Sequence, residues 1–255
     1  MKDKIVVFDS GLGGLNIFNA LRTKYPNENY VYVADELYLP YGTKSVEFLK
    51  KRITEILEYF KDAKAIVIAC NTASSIYALL DKKYDNVYEI IKLTSIHASN
   101  TSKNKKIGVI ATNLTIELGK YQDYLTELKC EVFPLKYSEL VEIIESKNTL
   151  NNEEYSRVLN ESLENKFKYF ENTNIDTLIC GCTHFGYVID YYKKYLGDIN
   201  YVVSDLVVSD YLNEQLSLNK VNSPTTIIYT TGDEKEFVEK MKEFNISLSV
   251  EKLSI

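Results

Sequence analysis

The sequence predicts an α/β protein in which parallel sheets are wrapped by helices, because short β-branched runs alternate with amphipathic stretches along the whole chain. Two of those runs end on a cysteine followed by a polar turn: Ala65-Ile66-Val67-Ile68-Ala69-Cys70-Asn71-Thr72 and Thr177-Leu178-Ile179-Cys180-Gly181-Cys182-Thr183-His184. In such folds ligands bind beyond the carboxyl ends of the strands, which is where Cys70 and Cys182 fall. Two sheets sharing one cleft would account for two similar cysteine turns in different halves of the chain.

Strands are expected at Lys4–Phe8, Tyr30–Ala34, Ala65–Ala69, Lys106–Ile110, Glu131–Leu135, Thr177–Cys180, Tyr201–Val203 and Thr226–Tyr229. Helical periodicity places helices at Ser45–Lys61, Thr115–Lys129, Ser138–Ser146 and Glu153–Glu171. No low-complexity linker interrupts the pattern. Ser99–Lys105 is the most polar break and Leu216–Pro224 a lesser one.

Composition narrows the functional class. A chain of 255 residues, 45% hydrophobic and 12% aromatic, can bury a full core in one large or two modest domains. Its four cysteines lack the close, regular spacing of a disulfide framework and point to a reducing, cytoplasmic setting. Met1-Lys2-Asp3-Lys4 leads straight into a strand rather than a signal peptide, and no apolar run approaches the roughly 20 residues that span a bilayer. A net charge of −6 gives no basic footprint for nucleic acid.

The first strand delivers Asp9-Ser10-Gly11-Leu12-Gly13-Gly14 before a helix expected from Leu15 to Leu21. Such a loop can present backbone N–H groups to an anion, or the glycines can merely permit a tight strand-to-helix turn. A dinucleotide fingerprint fails because Asn16 stands where the third glycine belongs, and no Gly-Lys-Ser/Thr follows for a P-loop. Asp9 is a carboxylate at a strand tip, where a catalytic or amine-binding group would sit. Beyond Asp35, Pro40-Tyr41-Gly42-Thr43-Lys44-Ser45 reads as a turn in which Ser45 caps the next helix. At Cys70 and Cys182, backbone N–H groups and a helix dipole would favour thiolates. Cys130 and Cys180 read as packing residues. Cys182-x-His184 beside Cys180 could suggest a metal, but paired ligand motifs with the usual spacing are absent.

In this order and spacing, Asp9–Gly14, Pro40–Ser45, Ala69-Cys70-Asn71-Thr72-Ala73-Ser74 and Gly181–His184 resemble the glutamate racemases of the aspartate/glutamate racemase superfamily. Ile107–Thr115 is similar to that family's threonine-bearing turn. The resemblance implies two pseudo-symmetric α/β domains with the site in the cleft between them, residues 1–94 plus 206–255 forming the first and 95–205 the second. It also implies cofactor-independent interconversion of L- and D-glutamate, supplying D-glutamate for peptidoglycan, cell-wall biogenesis and cell shape, with no metal. Inversion without a cofactor needs a base on one face of Cα and an acid on the other, which two thiols can supply. By matched position, Cys70 would act with Asp9, and Cys182 with His184. Asp9, Ser10, Tyr41, Gly42, Asn71, Thr72, Thr183 and His184 would hold substrate, with Thr112 and Thr115 as further candidates. Glu145 matches an auxiliary carboxylate. The expected partners are the small-molecule substrate and at most a second copy in a homodimer, with neither nucleic acid nor membrane.

The chain departs from that family at several points. Thr94-Ser95-Ile96-His97-Ala98 stands where an Ile-Glu-Pro is common, Glu142 replaces a proline, Phe185-Gly186 follows His184, and Ser204-Asp205-Leu206 replaces an Asp-Pro. These changes spare both thiols but leave aspartate or another small acid open as substrate. The other classes are an amino-acid-binding protein that kept the cleft and a redox or metal protein using Cys70, Cys180 and Cys182.

Overall fold

The computed structural model describes residues 1–215, 221–242 and 246–255, and within them the chain divides into two compact units. Met1–Leu93 and Ser204–Ile255 form one, Thr94–Val203 the other. The strands in chain order are β1 (Lys4–Asp9), β2 (Asn29–Ala34), β3 (Ala65–Ile68), β4 (Val87–Glu89), β5 (Lys106–Ala111), β6 (Glu131–Lys136), β7 (Thr177–Gly181), β8 (Asn200–Val202), β9 (Thr226–Thr230) and β10 (Val250–Lys252). The first unit carries a six-stranded sheet ordered β10-β9-β2-β1-β3-β4, the second a four-stranded sheet ordered β6-β5-β7-β8. Every pairing is parallel. The expected α/β class with parallel sheets and flanking helices is thus the observed one.

Burial on both faces explains why the inner strands read as continuous apolar runs. All of β2 and β3 is buried, as is β1 after Lys4. At the edge of the second sheet, β6 is only partly buried and accommodates Pro134, which an inner strand would not tolerate. One core of the second unit gathers Ile110, Tyr137, Leu159, Leu163, Phe167 and Tyr192, with the Phe167 and Tyr192 rings 5.2 Å apart.

Several element boundaries differ from expectation. The helix expected at Thr115–Lys129 is two helices, Asn113–Glu117 and Lys120–Glu127, because Gly119 takes a left-handed φ of 71° between them. Thr112, whose Oγ1 accepts from the Thr115 N–H at 3.4 Å, starts the first one early. Glu153–Glu171 shortens to an α-helix over Asn152–Phe167 followed by a 3₁₀ turn, and Ser138–Ser146 to Glu139–Glu145. The polar break expected at Ser99–Lys105 is helical up to Thr101, and Thr94–Ala98 lies inside that helix, Ile90–Thr101. The lesser break at Leu216–Pro224 falls partly outside the described residues. Ser45 caps its helix as expected, its Oγ accepting from the Phe48 N–H at 3.2 Å. β4 and β10, three residues each, pair within the sheet although their sequences show no apolar alternation.

The turn after β1 is as tight as its glycines allow. A Cβ on Gly14 would lie 2.6 Å from Asp9 Cβ, 3.0 Å from the Tyr32 hydroxyl and 3.1 Å from Ala69 Cβ. Gly14→Ala is therefore expected to destabilise the protein by about 1–3 kcal/mol, the usual cost of overpacking. That corresponds to a melting temperature lowered by several degrees, at roughly 2–4 °C per kcal/mol for a chain of this size. A thermal melt checks it; an unchanged melting temperature would show that the turn yields.

Candidate active site

In the first unit, parallel pairing aligns the ends of β1, β2 and β3, with Asp9 beside Ala34 and Phe8 beside Ile68. Asp9, Asp35 and Cys70 therefore emerge from one edge. Cys70 caps the helix Asn71–Tyr77: its sulfur accepts from the Ala73 N–H at 3.5 Å and lies 3.6 Å from Ser10 Oγ. Both contacts suit a thiolate, since a backbone N–H and a hydroxyl can each donate to it. Asp9 turns one oxygen back to the Gly11 N–H at 2.9 Å, and the Gly11 carbonyl accepts from the Tyr32 hydroxyl at 2.6 Å. Asp9, Ser10, Cys70, Asn71 and Thr72 are all buried.

Tyr41 opens a 3₁₀ turn, Tyr41–Thr43, that packs against the Cys70-capped helix. Its phenol is buried and donates to Asp35 Oδ2 at 2.5 Å, so any ligand contact from this turn falls to its backbone and to the half-buried Gly42. Asp35 also receives the guanidinium of Arg52, Nε at 2.9 Å and Nη2 at 2.7 Å, and the Thr231 hydroxyl at 2.9 Å. Neither Arg52 nor Thr231 stands out in the sequence by motif. The available signal was an arginine in register with the buried Leu49, Ile53, Ile56 and Phe60 of one helix.

In the second unit Cys182 directly follows β7 and is partly exposed. Its setting is not a copy of that of Cys70. The next element is a 3₁₀ turn, Phe185–Val188, so Cys182 caps no α-helix, and its carbonyl accepts from the Phe185 N–H at 3.0 Å. The sulfur instead faces His184 Nδ1 at 3.8 Å, while His184 Nε2 lies 3.3 Å from Glu145 Oε1 at the end of the helix Glu139–Glu145. Burial of the imidazole opposes its charge, but its bonds to the Cys182 sulfur and the Glu145 carboxylate outweigh that and raise its pKa from the ordinary 6.5 to about 10. His184 thus bridges a thiol and a carboxylate as an imidazolium.

Thr112 and Thr115, past β5, share a hydroxyl–hydroxyl bond of 2.8 Å; Thr115 is fully buried and Thr112 half-buried, as is Thr183. Cys180 is enclosed in the strand, and Cys130 is buried with its sulfur 3.3 Å from Ser99 Oγ. Among the described residues no group of three or more His, Cys, Asp or Glu is placed to hold a metal ion.

No family model matches the chain. It is 33% identical over 262 residues to the curated protein glutamate racemase 3 of Caldanaerobacter subterraneus, covering 96% of this chain and 94% of that one. Among solved structures, a glutamate racemase isoform of Bacillus anthracis matches with a TM-score of 0.88 at 29% identity, over 99% of this chain and 98% of that one. The glutamate racemase of Francisella tularensis in complex with D-glutamate matches with a TM-score of 0.85 at 27% identity, over 100% and 98%. With sequence shared over nearly its whole length and the same fold, the chain belongs to the glutamate racemase family.

Proposed function

We propose that this protein racemises glutamate in the cytoplasm by direct proton transfer between carbon and sulfur, with one thiol from each unit, and that the D-glutamate formed serves peptidoglycan synthesis. The observation that carries the proposal is that Cys70 and Cys182 each stand just past the end of a buried parallel strand with polar partners at their sulfurs. Family membership supplies the substrate.

In the proposed reaction L-glutamate loses its α-proton to the Cys182 thiolate, and the carbanion takes a proton from the Cys70 thiol on its other face. One S–H bond forms and one breaks, so nothing is oxidised or transferred but a proton. D-glutamate reacts in reverse. The two sulfurs are served differently: the Ala73 N–H donates to the Cys70 sulfur and the Ser10 hydroxyl lies beside it, whereas Cys182 faces the imidazole that it shares with Glu145. Asp9, beside the β1 edge from which Ser10 reaches Cys70, is assigned to that thiol's side of the reaction, and Ser10, Gly42, Asn71, Thr72 and Thr183 to substrate binding.

Purified protein, with no pyridoxal phosphate, nucleotide or metal added, is expected to bring either pure enantiomer to a racemic mixture by circular dichroism, with deuterium entering Cα in D₂O. Persistence of the starting optical activity would refute the proposal. Cys70→Ser and Cys182→Ser should each abolish racemisation from both sides, because a serine hydroxyl is far too weak an acid to replace either thiol and every turnover uses both. Either serine variant racemising at the wild-type rate would overturn the two-base assignment.

The imidazolium of His184 gives a second expectation. Its NMR signals should report a protonated ring through neutral pH, titrating near pH 10, and Glu145→Gln should lower that pKa by about one unit, the low end for loss of a nearby opposite charge because Glu145 is half exposed. The sign for stability follows. A histidine whose folded pKa is raised stabilises fully below its ordinary 6.5, and that contribution is lost as pH climbs through about 10. Wild type should therefore lose its stability advantage over His184→Asn across that window; a constant difference in melting temperature would contradict the assignment.

A further inference from the structure

The helix Val46–Phe60 buries Leu49, Ile53, Ile56, Leu57 and Phe60 on one stripe, and Arg52 lies on that stripe at 3% exposure. A guanidinium held there forgoes hydration and has to be repaid by matched partners. Asp35, 0% exposed and one residue past β2, faces it fork to fork. The other fork nitrogen, Nη1, donates to the Ile255 carbonyl at 2.9 Å and to Glu55 at 3.3 Å, and the plane lies over the Tyr38 ring at 4.9 Å.

The carboxylate is equally full. Oδ1 accepts from Arg52 and Thr231, Oδ2 from Arg52 and Tyr41, which uses the roughly four lone-pair sites a carboxylate offers. Asp35 is therefore turned to the protein and not to a ligand. What it holds is Tyr41, whose turn is otherwise closed by two backbone bonds, Thr43 N–H to the Pro40 carbonyl at 3.3 Å and Lys44 N–H to the Tyr41 carbonyl at 3.1 Å, and by the Thr43 hydroxyl, which donates to the Pro40 carbonyl at 2.9 Å. The phenol also meets Phe8 edge-on at 6.3 Å, and the turn packs on the helix that Cys70 caps.

We infer that Arg52 is a positioning residue for the reaction: through Asp35 it fixes the Tyr41–Gly42 turn, whose backbone holds glutamate beside Cys70. The inference rests on the proposed function, since the turn has a substrate to hold only if Cys70 works on one. It also specifies what Arg52 contributes, which is the fork and not the charge. A lysine keeps the charge but cannot hold both carboxylate oxygens in one plane. Because backbone donors of the turn grip the substrate alike before and during proton transfer, a displaced turn should weaken binding more than chemistry.

The experiment measures initial rates from L- and D-glutamate for wild type, Arg52→Lys and Tyr41→Phe, with melting temperatures. Arg52→Lys is expected to raise KM for both enantiomers about tenfold, the equivalent of one well-made polar contact, with kcat within about threefold. Tyr41→Phe, which takes a single hydroxyl from Asp35, should move KM in the same direction by less. A role confined to stability would lower the melting temperature and leave KM within twofold, and that result overturns the inference, as does a fall in kcat at constant KM. If Arg52→Lys does not fold, Tyr41→Phe decides by the same criterion. A wild type that leaves both enantiomers unchanged refutes the proposed function and this inference with it; a wild type that racemises, with KM unaltered in the variants, refutes the inference alone.

Discussion

Parallel pairing makes every strand of a sheet leave from the same edge, and in this protein that edge carries the candidate site residues of each unit. Register sets how closely they meet. Asp9 pairs with Ala34 and Ala34 with Thr230, so Ser10, Asp35 and Thr231 emerge at one level, and since Phe8 pairs with Ile68, Cys70, two residues past β3, falls at that level too. In the other sheet Ala111 pairs with both Lys136 and Gly181, bringing Thr112, Tyr137 and Cys182 to one level. A one-residue slip would turn a strand's side chains to the opposite face, and the burial of the inner strands β1, β2, β3, β5 and β7 opposes it. The apolar strands thus set the chemistry without taking part in it.

The two sulfurs share a position in the fold but not an electrostatic setting. Cys70 is approached by a backbone N–H and a hydroxyl, dipoles that carry no net charge. Cys182 is approached by an imidazole whose pKa is raised by its bonds to the Cys182 sulfur itself and to the Glu145 carboxylate. A dipole responds little to pH, whereas the His184 pair has a charge that can be titrated away.

How far these features could be read beforehand follows from the range of the interactions that make them. The inner strands, the Ser45 cap and both cysteine turns are local, and their residues stand next to one another in sequence. Gly119 was equally local, yet helical periodicity continued across it and concealed the break that its left-handed φ makes. Three-residue β10 has a single apolar residue and exists because β9 offers it an edge, a fact about the sheet rather than the segment. Glu145 could be picked out only by resemblance, because its partner His184 lies on another element and nothing in Glu139–Glu145 separates it from the other acids of that helix. The contrast between Cys70 as a helix cap and Cys182 before a 3₁₀ turn is hidden for the same reason: the two strand-cysteine-turn strings are alike in sequence, and only the backbone separates them.

Arg52 is the clearest case of chemistry that pattern alone misreads. On a helix whose neighbouring stripe positions are Leu49, Ile53 and Ile56, hydrophobicity would place leucine there, and an apolar residue of similar volume is often as stable as a buried ion pair. Removing one partner from such a pair costs about 3–5 kcal/mol, because the other is left charged and dry. The pair is therefore hard to lose one residue at a time, even where it adds little net stability. What distinguishes it from an apolar contact is direction: van der Waals packing lets a tyrosine ring slide, whereas a carboxylate with four donors fixes each of them in angle as well as distance. A turn of three residues has too few backbone bonds to set its own orientation. At this strand edge the buried charge supplies the orientation that the turn lacks.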